Sequence, residues 1–130
     1  MYIPNVSFVL GELNRCLAKN GYLLIREPIS DMGFGLRKRI GCDENTRGIP
    51  LNYFKNWITK THFSEATLTL HRFGPLINIS NLFHICVYNN DFMTKFDFLL
   101  CRLFKYNYTY YRKNIWNKFA PGFVFLKIKK

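Results

Sequence analysis

Leu13-Asn14-Arg15-Cys16-Leu17-Ala18-Lys19-Asn20-Gly21-Tyr22-Leu23-Leu24-Ile25 decides how this chain is read. Its first part closes a helical pattern that opens near Ser7. Phe8, Val9, Leu13, Cys16 and Leu17 recur at helical spacing, and Glu12, Asn14, Arg15 and Lys19 fall opposite. Asn5 or Ser7 supplies a cap. Asn20-Gly21 stops the helix, because both residues tolerate the left-handed conformation. Tyr22 to Ile25 is a continuous apolar run between a glycine and Pro28, the pattern of a short strand buried on both faces. Helix, tight turn and buried strand in that order form half of a crossover unit, so a parallel sheet is expected.

Working outward, Arg26-Glu27-Pro28 follows the apolar run. Ligands in open α/β sheets bind beyond the carboxyl ends of strands, which makes these two ionisable residues candidates for a site. Residues 29–49 lack either periodicity and hold Gly33, Gly35, Gly41, Gly48, the basic cluster Arg37-Lys38-Arg39, and Asp43-Glu44. A structureless stretch of that length at a strand's carboxyl end reads as a lid or binding loop on the active-site side. Pro50 opens a helix with Leu51, Phe54, Trp57 and Ile58 on one face, through about Thr61. Ala66 to Phe73 alternates as a strand that Gly74-Pro75 stops. Residues 76–120 read as a helical insertion. Leu76 to Tyr88 is loop or irregular helix. A helix capped by Asp91 then runs to Lys105, with Phe92, Phe96, Leu99, Leu100, Leu103 and Phe104 as its core stripe. Phe123 to Ile128 is a final strand.

Composition narrows the classes. The chain has 130 residues, 48% of them hydrophobic and 21% charged, which excludes intrinsic disorder. No apolar run approaches the ~18 residues of a membrane span. Met1 to Leu10 lacks the basic start and apolar stretch of a signal peptide, so the expected compartment is the cytoplasm. The net charge of +11 is uneven. Residues 66–130 carry ten Lys/Arg and two Asp/Glu, with no acid beyond Asp97. Such a half either suits a polyanionic partner or is a solvated basic surface. Tyr108, Tyr110, Tyr111 and Trp116 interleave with Arg112, Lys113 and Lys118, a pattern that stacks bases, meets lipid headgroups, or covers a sheet. Cys16, Cys42, Cys86 and Cys101 form no close pair, and His62, His71 and His84 do not join them at metal-ligand spacing. The thiols read as small hydrophobes and the histidines as structural, with His71 the least bland.

The opening stretch resembles the helix and fifth strand of class I S-adenosylmethionine-dependent methyltransferases. Their pattern is an apolar-x-Arg-x-Leu helix, a Lys-Pro-Gly-Gly turn and a strand of large aliphatics. Here Asn20 stands in place of the usual Pro-Gly. Arg26-Glu27-Pro28, and Asn45-Thr46-Arg47-Gly48-Ile49-Pro50 before the next helix, look like one subgroup of these enzymes. The resemblance runs from Val9 to Ile128. It implies a partial Rossmann-like α/β sheet of three main strands, the last inserted antiparallel between the other two, with a helical insertion before it. Residues 1–130 would then be one partial domain, the carboxyl-terminal half of the fold.

The family's glycine-rich cofactor loop lies upstream of the matching region. Gly33-Phe34-Gly35 lacks the third glycine and a helix directly behind it. The resemblance therefore implies an acceptor-side half that is inactive alone. S-adenosylmethionine is the family's cofactor, but this chain by itself is not expected to bind it, and its partners would be a small, anionic acceptor and a missing half or another chain. Methyl transfer from a sulfonium needs alignment and exclusion of water, and a base only when the acceptor is an acid. Glu27 would orient or deprotonate the acceptor, or else form an ion pair with one of the arginines. Arg26, Glu27 and Arg47 would bind it, since guanidinium groups grip carboxylate or phosphate in pairs of hydrogen bonds. Two readings compete with this one: a small basic module that binds nucleic acid, and a non-catalytic remnant that pairs with another chain.

Overall fold

The computed structural model describes residues 5–31, 48–61, 63–112 and 114–130. Chain order is α1 (Val6–Cys16), β1 (Tyr22–Pro28), α2 (Leu51–Lys60), β2 (Glu65–Phe73), α3 (Gly74–Leu82), α4 (Asp91–Leu103) and β3 (Pro121–Lys129), with short 3-10 turns at Val87–Asn89, Lys105–Asn107 and Trp116–Lys118. The result is a mixed α/β architecture with one open three-stranded sheet in the order β1-β3-β2. No helix among the described residues is long and apolar enough to cross a membrane.

Both pairings are antiparallel, which corrects the expected parallel sheet. β1 and β2 do run in the same direction, but β3 lies between them with the opposite sense. The register sets Ile25 and Leu68 on either side of Leu126, and Leu23 and Ala66 on either side of Ile128. Side chains directly opposite one another share a face. One face therefore carries Leu23, Ile25 and Glu27, then Val124, Leu126 and Ile128, then Ala66, Leu68 and Leu70. Leu10 of α1 and Leu51 and Phe54 of α2 pack there with Ile29, and the three β3 side chains are fully buried. Paired on both edges and covered on this face, β3 is the strand that the core closes around.

The other face explains a second correction. Tyr22 and Leu24 are exposed, so β1 is not buried on both sides. It is an edge strand, and α1 and α2 cover only one of its faces. It also continues through Pro28, so Arg26 and Glu27 lie within the strand rather than after it. Strand alternation then sends their side chains to opposite faces.

Local sequence explains the junctions. Asn5 caps α1, its Oδ1 accepting from Phe8 N–H at 3.0 Å. Asn20 takes φ 63°, and Gly21 N–H returns to the Ala18 carbonyl at 2.9 Å. The Lys130 ammonium donates to the Asn14 and Leu17 carbonyls at 2.8 and 2.9 Å, a cation on the orphan acceptors of a helix end. Gly74-Pro75 both stops β2 and opens α3, because proline suits a first helical turn. Asn90, not Asp91, caps α4, its Oδ1 accepting from Phe92 and Met93 N–H at 2.9 and 3.3 Å.

The face of α4 is also corrected. Phe92, Phe96, Leu99 and Leu103 point outward and are exposed. Leu100 and Phe104 of the expected stripe do pack inward, with Met93, against Phe73, Leu76 and Val87, on the face that carries the fully buried Asp97 and Cys101. Farther along, the insertion reaches back across the molecule. Tyr108 hydroxyl donates to the Ile29 carbonyl at 2.6 Å and accepts from Leu51 N–H at 3.2 Å, while Tyr110 hydroxyl donates to the Gly48 carbonyl at 2.9 Å. These tyrosines fasten the chain just after β1 to the start of α2, a covering role.

Candidate functional site

β1 and β2 end at the same edge of the sheet, where β3 begins. The register places Pro28 and His71 on either side of Phe123, one row beyond Arg26 and Thr69 flanking Phe125. Arg26, His71 and Phe123 therefore meet on the open face at the carboxyl ends of two co-directional strands. The guanidinium carbon of Arg26 lies 5.4 Å from the centre of the Phe123 ring and 5.7 Å from that of Tyr88. Arg72 approaches Phe123 to 4.6 Å. Such cation–ring contacts hold a guanidinium in place while leaving its N–H groups free to donate.

A buried carboxylate organises this end. Asp97 is fully buried in α4, and its two oxygens accept from Arg72 N–H at 2.8 Å and Phe73 N–H at 2.7 Å. Tyr88 hydroxyl also donates to it, at 3.3 Å. Arg72 adopts φ 65° and has no register partner on β3, although Phe73 beyond it still pairs with Pro121, and the carboxylate satisfies the amides of both. Asp97 thus pins the end of β2, and through Tyr88 it reaches His71.

His71 is buried beneath aromatic rings, with Tyr88, Phe98 and Phe123 at centroid distances of 6.1, 6.4 and 5.8 Å. Its Nδ1 lies 3.5 Å from Tyr88 hydroxyl. Because that hydroxyl gives its proton to Asp97, the network favours the tautomer with Nδ1–H directed at the Tyr88 oxygen. Nε2 is then an unpartnered acceptor inside the protein. Burial, with the nearby Arg26 charge second, lowers the imidazole pKa to about 4, so the ring is neutral at pH 7. Burial, with Asp97 beside them, raises the Tyr88 phenol and the Cys101 thiol far above their ordinary values. Neither Tyr88 nor Cys101 is thus a nucleophile near neutral pH. A shallow groove of about 290 Å³ lies between α4 and β2, floored by Leu68, Leu70 and Phe98 with Arg102 and Lys105 at its margin.

Compared with protein-family models, curated proteins and solved structures, the chain matches none.

The sequence-derived site residues fare unequally. Arg26 stands in the cluster. Glu27, one residue on, lies on the opposite, α1/α2-covered face, opposite Val124. It is half-buried, and burial raises its carboxyl above the usual range. Arg26 and Glu27 therefore do not grip one group from the same side, and among the described residues no ion pair joins Glu27 to an arginine. Arg47, the Arg37-Lys38-Arg39 cluster and Gly33-Phe34-Gly35 lie outside the described residues. Asp97 and Tyr88 were not singled out from sequence. The one signal for Asp97 was a carboxylate in the middle of a helix, four residues from both Met93 and Cys101.

A nucleotide cradle needs free backbone N–H groups at a strand-to-helix turn. At the β2–α3 junction, Asp97 occupies the amides of Arg72 and Phe73, and Pro75 has none. The described residues thus leave neither of those two amides free at that junction. They also hold no group of three His, Cys, Asp or Glu placed to bind a metal ion.

Proposed function

We propose that this chain is the acceptor-side part of a class I S-adenosylmethionine-dependent methyltransferase, handling a small anionic acceptor and inactive alone. One observation carries the reading. A last strand lies antiparallel between two co-directional strands, while the helices before and after the first of them, α1 and α2, share one face. The strand arrangement is the one the resemblance implies for the carboxyl-terminal half of a Rossmann-like sheet. β1 is an edge strand, so its free side is where a further strand would extend the sheet.

On this reading Arg26 holds the anionic group of the acceptor, steadied by Tyr88 and Phe123. Asp97 and Tyr88 fix the end of β2 that frames it. Glu27 borders the cleft from the opposite face and serves proton transfer there only if the acceptor reaches that side. The methyl donor would bind residues supplied by another polypeptide segment. The test mixes the chain with a separately expressed glycine-rich half of such a fold. Transfer from S-adenosylmethionine to a phenolic or carboxylic acceptor that appears only in the mixture, and falls at least tenfold with Arg26→Ala, is the expected result. No transfer and no association in the mixture would overturn the proposal.

A second reading has its own observation. The open face sets apolar side chains against cations: Tyr22 opposite Lys129, Leu24 opposite Lys127, and Phe125 opposite Arg26. Lys127 and Lys129 ammonium groups lie 5.2 and 5.6 Å from the Tyr22 ring centre. A basic face with aromatic platforms binds single-stranded nucleic acid. Micromolar oligonucleotide binding that weakens steeply with salt and is lost in Phe125→Ala would favour this reading over the first.

A further inference from the structure

We propose that α4 is an interfacial helix that docks this protein on an anionic lipid surface. The inference goes beyond the methyltransferase reading and does not depend on it. It starts from the inverted polarity of α4. Phe92, Phe96, Leu99 and Leu103 recur at i, i+4, i+7 and i+11 and form a single outward stripe. Phe92 is 72% exposed and Leu103 62%, and the Phe92 and Phe96 rings lie parallel 6.4 Å apart. A helix that turns its large apolar residues to the outside and a carboxylate to the inside is built to be covered from outside.

Charge selects the cover. Lys95 and Arg102 each stand one residue before a stripe member, and Lys105 follows at the helix end. Residues 66–130 hold only two acids. Asp97 is fully buried, and Asp91, at the start of α4, is neutralised by Lys95 at 2.7 Å. The stripe is therefore bordered by the charge-balanced Lys95–Asp91 pair at its start and by the cations Arg102 and Lys105 at its end. A second copy would bring like charges together, and a polyanion without an apolar body would leave the rings in water. An anionic bilayer offers phosphates to the cations and hydrocarbon to the stripe, the pattern of a helix lying in the membrane plane. Arg102 and Lys105 also border the groove floored by Leu68, Leu70 and Phe98. At 13 residues α4 is too short to span a bilayer, so it lies on the surface. Trp116, 72% exposed and 6.1 Å from Phe119, follows in the same insertion as an interfacial aromatic.

The test is co-sedimentation of the full chain with phosphatidylglycerol–phosphatidylcholine vesicles and with pure phosphatidylcholine vesicles. Tryptophan emission and circular dichroism are recorded in parallel. The expected result is binding to the anionic vesicles, a blue shift on binding, and little binding to neutral ones. Leu99→Ser and Leu103→Ser, both at exposed positions and checked for unchanged circular dichroism, should each weaken partitioning by about tenfold or more. Lys95→Gln and Arg102→Gln should each weaken it by about fivefold and flatten the preference for anionic lipid. Three outcomes would overturn the proposal: no vesicle binding, vesicle binding unchanged by the leucine variants, and a stable dimer whose formation the leucine variants abolish. Binding to an oligonucleotide with the same dependence on the leucines would also overturn it, because hydrocarbon would then not be the occupant.

Discussion

Removing the Asp97 carboxylate should unfold much of the architecture around the end of β2. The carboxylate satisfies two backbone donors, Arg72 N–H at 2.8 Å and Phe73 N–H at 2.7 Å, and receives Tyr88 hydroxyl at 3.3 Å. A buried donor left without a partner costs about 1–3 kcal/mol. Asp97→Ala abandons two of them and leaves a small void, so the loss should be about 3–5 kcal/mol. A domain holds only about 5–15 kcal/mol in total, so the variant sits near the edge of folding. Asp97→Asn keeps one acceptor oxygen and presents its amide to the other donor, and about half the loss is expected. Tyr88→Phe removes the longest of the three bonds to the carboxylate and also the acceptor of His71 Nδ1–H, and should cost about 1–2 kcal/mol. Urea denaturation followed by circular dichroism measures all three against the parent. An Asp97→Ala variant within about 1 kcal/mol of the parent would refute the clamp, because that is the range of an ordinary surface change.

Other consequences concern pH and the fastenings of the insertion. His71 binds its proton at 6.5 when unfolded and at about 4 when folded, so between those values the unfolded state holds more protons. Stability should be flat above about pH 7 and fall as pH drops toward 4, with the fall reduced in His71→Gln. Glu27, raised by burial, acts in the opposite sense, so the difference between parent and variant is the quantity to read. Tyr108→Phe removes the hydroxyl that bridges the Ile29 carbonyl and Leu51 N–H and should cost about 1–2 kcal/mol in the same denaturation assay. Gly48→Ala should cost more than Tyr108→Phe, since a Cβ there would run into the Ser30 carbonyl and come within 2.7 Å of the Pro28 carbonyl. A neutral Gly48→Ala would mean that the strand end has room to move.

Local chemistry was the part of the fold written most openly in the sequence. Asn5, the Asn20-Gly21 stop, Pro50 and Gly74-Pro75 act through their own backbones, and each marks a boundary close to the expected place. What the sequence hid was the choice between equivalent faces. α4 carries two stripes, Phe92-Phe96-Leu99-Leu103 and Met93-Asp97-Leu100-Cys101-Phe104, and apolarity alone favours the first. The second turned inward because the Asp97 carboxylate could meet the two amides at the end of β2, a demand visible only in three dimensions. β1 misled for a related reason. Its unbroken run of large residues is what a doubly covered strand looks like, yet the described helices cover one side. The same strand shows why the site was half legible: Arg26 and Glu27 are adjacent in sequence, and strand alternation separates them across the sheet. His71 was noticed for its type, but its partners Tyr88 and Asp97 lie 17 and 26 residues farther on.

On the proposed reading, the acceptor side of a methyl-transfer cleft lies in this chain and the donor side does not. Isothermal titration of the purified chain with S-adenosylmethionine, alone and then together with a glycine-rich half, tests it most directly. The account predicts no saturable binding up to millimolar concentration for the chain alone, and saturable binding with transfer in the mixture. Saturable micromolar binding by the chain alone would contradict it, because the donor site would then lie within these 130 residues.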